Sequence, residues 1–369
     1  MSELEHINRV ELRQQRRSRR LRRAAAANRK VAIILSHAGN SDFGEQRQLV
    51  MARLLRDHGI HCDVFRLSTQ RTDTSPATSS WAELKFFLVD NVDEAVPQLH
   101  TSQGLVDFLV KEKYDRIIFK GMKYAVNRQV IEAAGDGVLF GVIVGGSHRD
   151  PLSIRYGIIF VEHAGQALDI GKLDIGEPII SVLPKYLPDL DWSQLRRREK
   201  RFDIACSGKF VERKNQALMA PLFNSDFRII FIGDGPLMLS IKEMASGRST
   251  VHFSGAVPWR EAINIVASAR LLAHPSVHEG LPRACVEAFA CGVPMVGLRE
   301  TLGPALGDAG CCHLVEASDF CNSVALMLHD KGRLSEMARE AVSYWERNHN
   351  SEALEAATAV LADWLLVAH

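Results

Sequence analysis

The sequence predicts an α/β chain built from two doubly wound halves, each a parallel sheet with helices on its faces. Three observations predict it. From Val31 onward, short apolar runs alternate with amphipathic stretches, as in successive βαβ units. A polar, charge-rich stretch at 189–201 interrupts the alternation, and Phe202-Asp-Ile-Ala-Cys206 restarts it. With 369 residues, 46% apolar and 24% charged, the chain has material for two ordinary domains with cores of their own.

The same composition limits the function. A formal net charge of +1 leaves no whole-surface field to recruit nucleic acid, so no such partner is expected. Seven cysteines, an odd number without Cys-x-x-Cys spacing, read as reduced thiols of a cytoplasmic protein. No window approaches 18 consecutive apolar residues, so no membrane span is expected.

Residues 1–30 form a basic N-terminal extension, with arginine pairs at 16–17, 19–20 and 22–23. It is not a secretory signal, because Asn28-Arg29-Lys30 interrupts any apolar core after residues 24–27. Val10, Leu12 and Leu21 make a thin apolar face. Such a segment is either a solvated leader or a peripheral contact with the inner membrane face, where each basic residue contributes about 1 kcal/mol on anionic lipid.

Residues 31–190 are the first domain. Strand 31–35 is followed by a loop at 37–44, a helix at 45–59 and a strand at 62–67. Loops at strand ends are where ligands sit in such sheets; the glycine of this one, Gly44, is by itself explained equally well by a plain turn. The Ser/Thr-rich residues 68–84 read as a surface excursion. A helix at 104–113, a strand at 116–120, a helix at 130–134 and a strand at 139–144 come next. The last strand ends in Gly145-Gly-Ser-His148-Arg-Asp150. His148 is either an ordinary loop histidine or a site residue, among glycines that let a ligand approach the backbone. Strand 179–183 closes the domain, and 189–201 is the expected linker.

Residues 191–350 are the second domain. After strand 202–206, Gly208 permits a tight turn, and Lys209 and Lys214 are either solvated surface lysines or converge on a diphosphate. Strand 227–232 ends in the turn Gly233-Asp-Gly-Pro236. A strand at 251–255, a helix at 258–267 and a strand at 269–273 lead into residues 273–296, which read strand, loop, short helix, strand. Pro282 suits the first turn of that helix, where a missing N–H costs nothing. Gly292 closes it in a left-handed cap, Pro294 prevents its return, and the next strand follows at 294–298. Helices at 317–330 and 332–345 complete the domain, and 351–369 is a final helix.

The short helix offers the N–H groups of Leu281, Arg283 and Ala284 to an anion. Glu287 lies about 7.5 Å along the axis from Pro282, at 1.5 Å per residue. Glu279 stands just before the helix. Two carboxylates with amides between them are either plain surface acids or a clamp for sugar, diphosphate and ribose.

Glu279-Gly-Leu-Pro-Arg-Ala-Cys-Val-Glu287, with Pro-Ser before it and Cys-Gly-Val-Pro after it, is similar to the Glu-x7-Glu motif of the retaining glycosyltransferases of family 4 (glycosyl transferases group 1). The resemblance implies the GT-B fold: two Rossmann-like domains facing across a cleft, with the C-terminal helix 351–369 crossing back to the first. It assigns Glu287 to the nucleotide ribose and Glu279 to the donor sugar. Residues 207–214 resemble the family's Gly-Arg-x-x-x-x-Lys, with Lys214 matching the lysine, Lys209 replacing the arginine, and Arg213 as a stand-in. Asp42-Phe-Gly44-Glu resembles its Gly-Gly-x-Glu loop with one glycine of the pair, and Gly233-Asp-Gly-Pro its nucleotide-bordering turn. His148 falls where the family has a histidine facing the donor sugar. The resemblance is tightest over 202–345, loose over 31–190 and absent over 1–30.

The expected activity is transfer of a sugar from a nucleotide-diphosphate sugar to an acceptor hydroxyl with retention of configuration, in polysaccharide or glycoconjugate biosynthesis. His148, Lys214 and Glu279 are the expected catalytic residues. Gly44, Gly208, Lys209, Lys214, Gly233, Leu281, Arg283 and Glu287 are the expected donor-binding residues. No metal and no cofactor are expected beyond the nucleotide sugar itself, since lysines and helix amides can neutralise the leaving diphosphate. The acceptor is a saccharide, a lipid-linked saccharide or a small molecule. Two alternatives stand: other GT-B chemistry on a sugar nucleotide, such as an epimerase, and a non-catalytic GT-B subunit that binds nucleotide.

Overall fold

A computed structural model describes residues 29–37, 47–70, 77–79, 82–145, 150–187 and 190–366. The chain divides into two compact units. The first runs to Val161 and adds Ala167–Leu183 and Leu354–His369; the second holds Glu162–Gln166 and Pro184–Ala353.

The first unit is built on an eight-stranded sheet: β1 (Val31–Leu35), β2 (Cys62–Ser68), β3 (Ala77–Ser79), β4 (Ala82–Leu88), β5 (Arg116–Lys120), β6 (Leu139–Ile143), β7 (Tyr156–Val161) and β8 (Ile179–Val182). Its order is β3-β4-β2-β1-β5-β6-β7-β8. All neighbours are parallel except β3, which runs antiparallel to β4. Its helices are α1 (Arg47–Asp57), α2 (Gln103–Lys111) and α3 (Ala125–Ala133), and α4 (Ala164–Gly171) starts in the second unit and ends in the first. All of β1 is buried, as a central parallel strand with both faces covered must be.

Two expectations fail here. Residues 68–84 are not merely a surface excursion, because β3 and most of the early part of β4 lie in them. Strand β4 pairs in register with β2, Val64 opposite Leu84 and Ser68 opposite Leu88. The Ser/Thr content masks a strand whose tail, Lys85-Phe86-Phe87-Leu88, has the residues a half-buried strand favours. Helix α3 begins at Ala125 rather than 130. Its first turns hide a polar residue inside: buried Asn127 accepts from Ser36 Oγ at 2.7 Å and donates to Gly121 O at 2.9 Å. A satisfied interior amide breaks the apolar period that marks a helix.

The second unit has six parallel strands, β9 (Phe202–Ser207), β10 (Ile229–Ile232), β11 (Val251–Phe253), β12 (Ala269–His274), β13 (Met295–Leu298) and β14 (Cys312–Val315). Their order is β11-β10-β9-β12-β13-β14. The direction of winding therefore reverses between β9 and β12, and the crevice for a ligand lies outside their carboxyl ends. Helices α5 (Trp192–Arg196), α6 (Met238–Met244), α7 (Trp259–Ala267), α8 (Arg283–Ala290), α9 (Arg299–Leu306), α10 (Phe320–His329) and α11 (Lys331–Asn348) surround the sheet.

The stretch expected as a linker is part of this core. Within it, Trp192 and Leu195 of α5 are buried, and Trp192 packs 5.5 Å from the Trp345 ring. Arg196 Nε donates to Ala290 O at 3.0 Å, capping the carbonyl end of α8. The arginines around one buried face made the segment look solvated. Helix α12 (Ser351–Leu366) belongs from Leu354 onward to the first unit, as expected for a C-terminal helix that returns, with Trp364 Nε1 packed over Gly157 of β7. Among the described residues no helix is long and apolar enough to cross a membrane.

Helix α8 starts one residue later than Pro282 suggested, with Pro282 as its N-cap. Its end matches expectation: Gly292 has φ +66, its N–H donates to Phe289 O at 2.9 Å, and Val293 N–H donates to Ala288 O at 2.8 Å. This is the Schellman pattern, and it turns the chain directly into β13. Gly292→Ala puts a Cβ into the left-handed region and should lower stability by about 1 kcal/mol. Urea unfolding checks this as a lower midpoint at unchanged m; an unmoved midpoint contradicts it.

Candidate active site

The site starts where β9 and β10 end. Gly208 N–H donates to Ile232 O at 2.9 Å, and a Cβ on Gly233, which has φ +127, would stand 2.3 Å from Gly208 O. The two loops thus meet backbone to backbone, which only glycine at 233 permits. Beyond Gly208 a 3-10 turn, Glu212–Lys214, ends at Asn215 in the left-handed region with φ 50. That turn presents two cations to the loop after β12.

Glu279 receives both. Lys214 Nζ lies 2.5 Å and Arg213 Nη1 2.6 Å from its Oε1. Ser276 Oγ stands 3.0 Å from the same oxygen and 2.9 Å from Arg213 O, while Val277 N–H donates to Arg213 O at 2.9 Å. Burial pushes the Glu279 carboxyl up, but Lys214 and Arg213 outweigh it and hold the group below the usual carboxylate range. His274, the last residue of β12, is 2% exposed, and its Nε2 has no hydrogen-bond partner. Burial, reinforced by Lys214, pushes its imidazole down to about 3, so it is neutral at physiological pH.

A second cluster sits along α8 and α7. Trp259 Nε1 donates to Glu287 Oε1 at 2.7 Å, and Arg283 Nε lies 3.0 Å from the same oxygen, with the guanidinium 5.4 Å from the Trp259 ring centre. Burial raises the Glu287 carboxyl, partly offset by Arg283 and Trp259. At the start of α8, the Leu281 N–H donates to Glu162 Oε2 at 3.2 Å, and the same carboxylate pairs with Lys185. An anion at the helix N-terminus was expected of this sequence; the chain supplies a carboxylate of its own there.

The structure therefore brings Gly208, Gly233, Lys214 and Glu279 into one cluster and places Arg283 with Glu287 in the second. Lys209 is exposed, and the second cation on Glu279 is Arg213. Gly44 and His148 lie outside the described residues. Sequence reasoning missed His274, Glu162, Lys185 and Trp259 as site neighbours. Only His274 carried a signal, since it stands directly before Pro275-Ser276. Among the described residues no group of three or more His, Cys, Asp or Glu is placed to hold a metal ion.

Two Rossmann-like parallel-sheet units, the second with a cationic cluster at its topological switch point, define the class: this is the GT-B fold. Sucrose-phosphate synthase from Thermosynechococcus elongatus superposes with a TM-score of 0.68 at 15% identity, over 92% of this chain and 99% of that one. WaaG, a glycosyltransferase involved in lipopolysaccharide biosynthesis, gives 0.63 at 16% identity, over 91% and 99%. Within that class, residues 190–343 match the family model described as Glycosyl transferases group 1. The chain is 30% identical over 135 residues to a GDP-mannose-dependent monoacylated alpha-(1-6)-phosphatidylinositol monomannoside mannosyltransferase of Corynebacterium glutamicum. That stretch covers 31% of this chain and 34% of the relative, so the chain spans about a third of the length of this curated relative.

His274 gives the site a pH signature. Its folded value, about 3, lies below the ordinary 6.5, so the unfolded chain binds a proton that the folded chain refuses. The stability it supports is complete above pH 6.5 and falls as pH drops toward 3. Between pH 7 and pH 5 the wild type should lose about 2 kcal/mol more than His274→Asn. Urea titrations at the two pH values check this, and parallel losses in both proteins contradict it.

Proposed function

We propose that the chain transfers a hexosyl group from a nucleoside-diphosphate sugar to an acceptor hydroxyl, with retention of configuration and without a metal ion. The observation that carries the reading is the half-buried Glu279 carboxylate shared by Lys214 and Arg213 at the ends of β9 and β12. The pair of cations exceeds the one anion, so the cluster keeps a positive charge for a diphosphate to meet. As the anomeric C–O bond breaks, Lys214 and Arg213 stabilise the charge gathering on the leaving phosphate. Glu279, fixed by its cations and beside Ser276, accepts from hydroxyls of the donor sugar. Glu287 uses Oε1 for Trp259 and Arg283, which makes Oε2 the oxygen for the ribose hydroxyls. The departing phosphate takes the acceptor proton on the same face, which gives retention.

GDP-mannose is the proposed donor, since several relatives are named as GDP-mannose-dependent mannosyltransferases. Their names also specify phosphatidylinositol mannosides, which supports a saccharide or lipid-linked saccharide as acceptor.

Calorimetric titration with GDP-, UDP- and ADP-sugars, coupled to an assay for released nucleotide, tests the proposal. Binding of none overturns it; an isomerised sugar formed without acceptor means an epimerase, and binding without release in the presence of acceptors means a non-catalytic subunit. Lys214→Ala should lower kcat about a hundredfold, the scale of removing one preorganised charge donor. Glu287→Ala should weaken GDP binding about tenfold, the scale of a charge-assisted hydrogen bond. Unchanged GDP affinity in Glu287→Ala removes the ribose role.

A further inference from the structure

In the second unit, charge around α8 is met from within the chain. Lys214 and Arg213 hold Glu279, Arg283 holds Glu287, and Lys185 holds Glu162. The first two carboxylates belong to the loop before α8 and to α8 itself. Glu162 differs from them on two counts. It comes from far back in the chain, at the start of the short segment Glu162–Gln166. Its second oxygen, Oε2, also accepts from the Leu281 N–H at 3.2 Å, and that amide is one of those offered to an anion at a helix start. Glu162 is buried, so its carboxylate is lodged there rather than passing by in solvent.

The two halves of this contact are unequal. Oε1 makes a short ion pair with Lys185, whereas the bond to Leu281, at 3.2 Å, stands at the long end of the ordinary range. The backbones behind both partners are anchored. The Glu162 N–H donates to Gln166 Oε1 at 2.8 Å, and the Lys185 N–H donates to His349 Nδ1 at 3.3 Å. Rotation about its side-chain bonds therefore lets the Glu162 carboxylate leave Leu281 while α8 stays wound and Lys185 stays paired. Glu279 and Glu287 are held more firmly, the first by two cations and Ser276, the second by Trp259 and Arg283. A phosphate oxygen brought to the Leu281 N–H would meet the Glu162 carboxylate, and two anions cannot share one donor at close range.

We propose that Glu162 is an autoinhibitory ligand: its carboxylate holds the place of a donor phosphate oxygen at the start of α8, and a nucleoside diphosphate binds by displacing it from Leu281 toward Lys185. The inference rests on the transferase reading above for the identity of the ligand. Leu281 is 2% exposed, so without Glu162 its N–H would be buried and unpaired in the empty site. The internal carboxylate removes that cost until a diphosphate arrives to take the same bond. Its presence lowers the apparent affinity by the fraction of molecules in which the position is open. A plain helix cap has the same resting geometry and the opposite consequence, since its removal would loosen the start of α8 and weaken any ligand held there.

The test titrates GDP and inorganic pyrophosphate calorimetrically into the full chain and into Glu162→Gln and Glu162→Asp, with a thermal melt of each protein. Glutamine removes the charge; aspartate keeps it but falls one methylene short of Leu281. Both ligands should bind about tenfold tighter to both variants, as expected if the position is open in roughly one wild-type molecule in ten. Unchanged or weaker binding overturns the proposal and leaves Glu162 a cap of α8. Tightening in Glu162→Gln alone overturns it as well, because charge and not occupancy would then be at work. In the wild type with isotope-labelled leucine, saturating pyrophosphate should shift the Leu281 amide resonance, and an unmoved resonance overturns the proposal without any variant. The transferase reading is judged separately by wild-type affinity for GDP. Pyrophosphate bound tighter by both variants, with GDP bound no better than pyrophosphate by any of the proteins, would uphold the displacement and remove the nucleotide. Binding of neither ligand by any of them overturns both.

Discussion

The second unit depends on one half-buried carboxylate being shared by two cations. Glu279 is taken from water in the loop after β12, and Lys214 and Arg213 meet it from the loop after β9. A carboxylate left largely out of water without a partner is costly, so the loops are tied to one another by the need to satisfy this charge. Ser276 and the Arg213 carbonyl add the hydrogen bonds that set the spacing. The same constraint that orders the loops leaves an excess of positive charge at the switch point of the sheet. Fold and chemistry share a single electrostatic requirement there.

Helix α8 shows how short-range rules serve that requirement. It is eight residues long, too short to be stable alone, and it survives because nearly all of it is packed into the core. Pro282 fixes its start, and Gly292 with Val293 fixes its end. Between those stops the helix can hold Glu287 against Trp259 and Arg283 only in one register. A residue more or less in the helix would rotate Glu287 by about 100° and take it from both partners. The Schellman cap is therefore a positional device for a side chain five residues away from it.

Those features were legible because they are local. Proline and glycine stops, buried parallel strands and the charged turn after β9 are each written in a few adjacent residues. What the sequence hid was tertiary compensation. The buried face of α5 is disguised by its arginines, and the interior amide of Asn127 breaks the period of α3. Strand β4 is preceded by serines and threonines that read as loop. In the site, Glu162 and Lys185 reach α8 from far along the chain, and no spacing rule connects residue 162 with residue 281. Trp259 belongs to an amphipathic helix whose pattern says only that one face is buried, not that its indole meets a carboxylate.

The replacement of an expected arginine by Lys209 shows where local matching stops being informative. Lost planarity at 209 would matter if that residue gripped the anion, since lysine offers a point charge where arginine offers a fork. The turn at 212–214 changes the answer. Asn215 adopts the left-handed conformation, which asparagine tolerates better than most residues, and the chain reverses so that consecutive side chains, Arg213 and Lys214, both reach Glu279. A guanidinium is thus present in the cluster, four positions later than the motif leads one to look. What is preserved is the inventory of charge and donors around Glu279, and backbone conformation, rather than motif position, decides which residue supplies it.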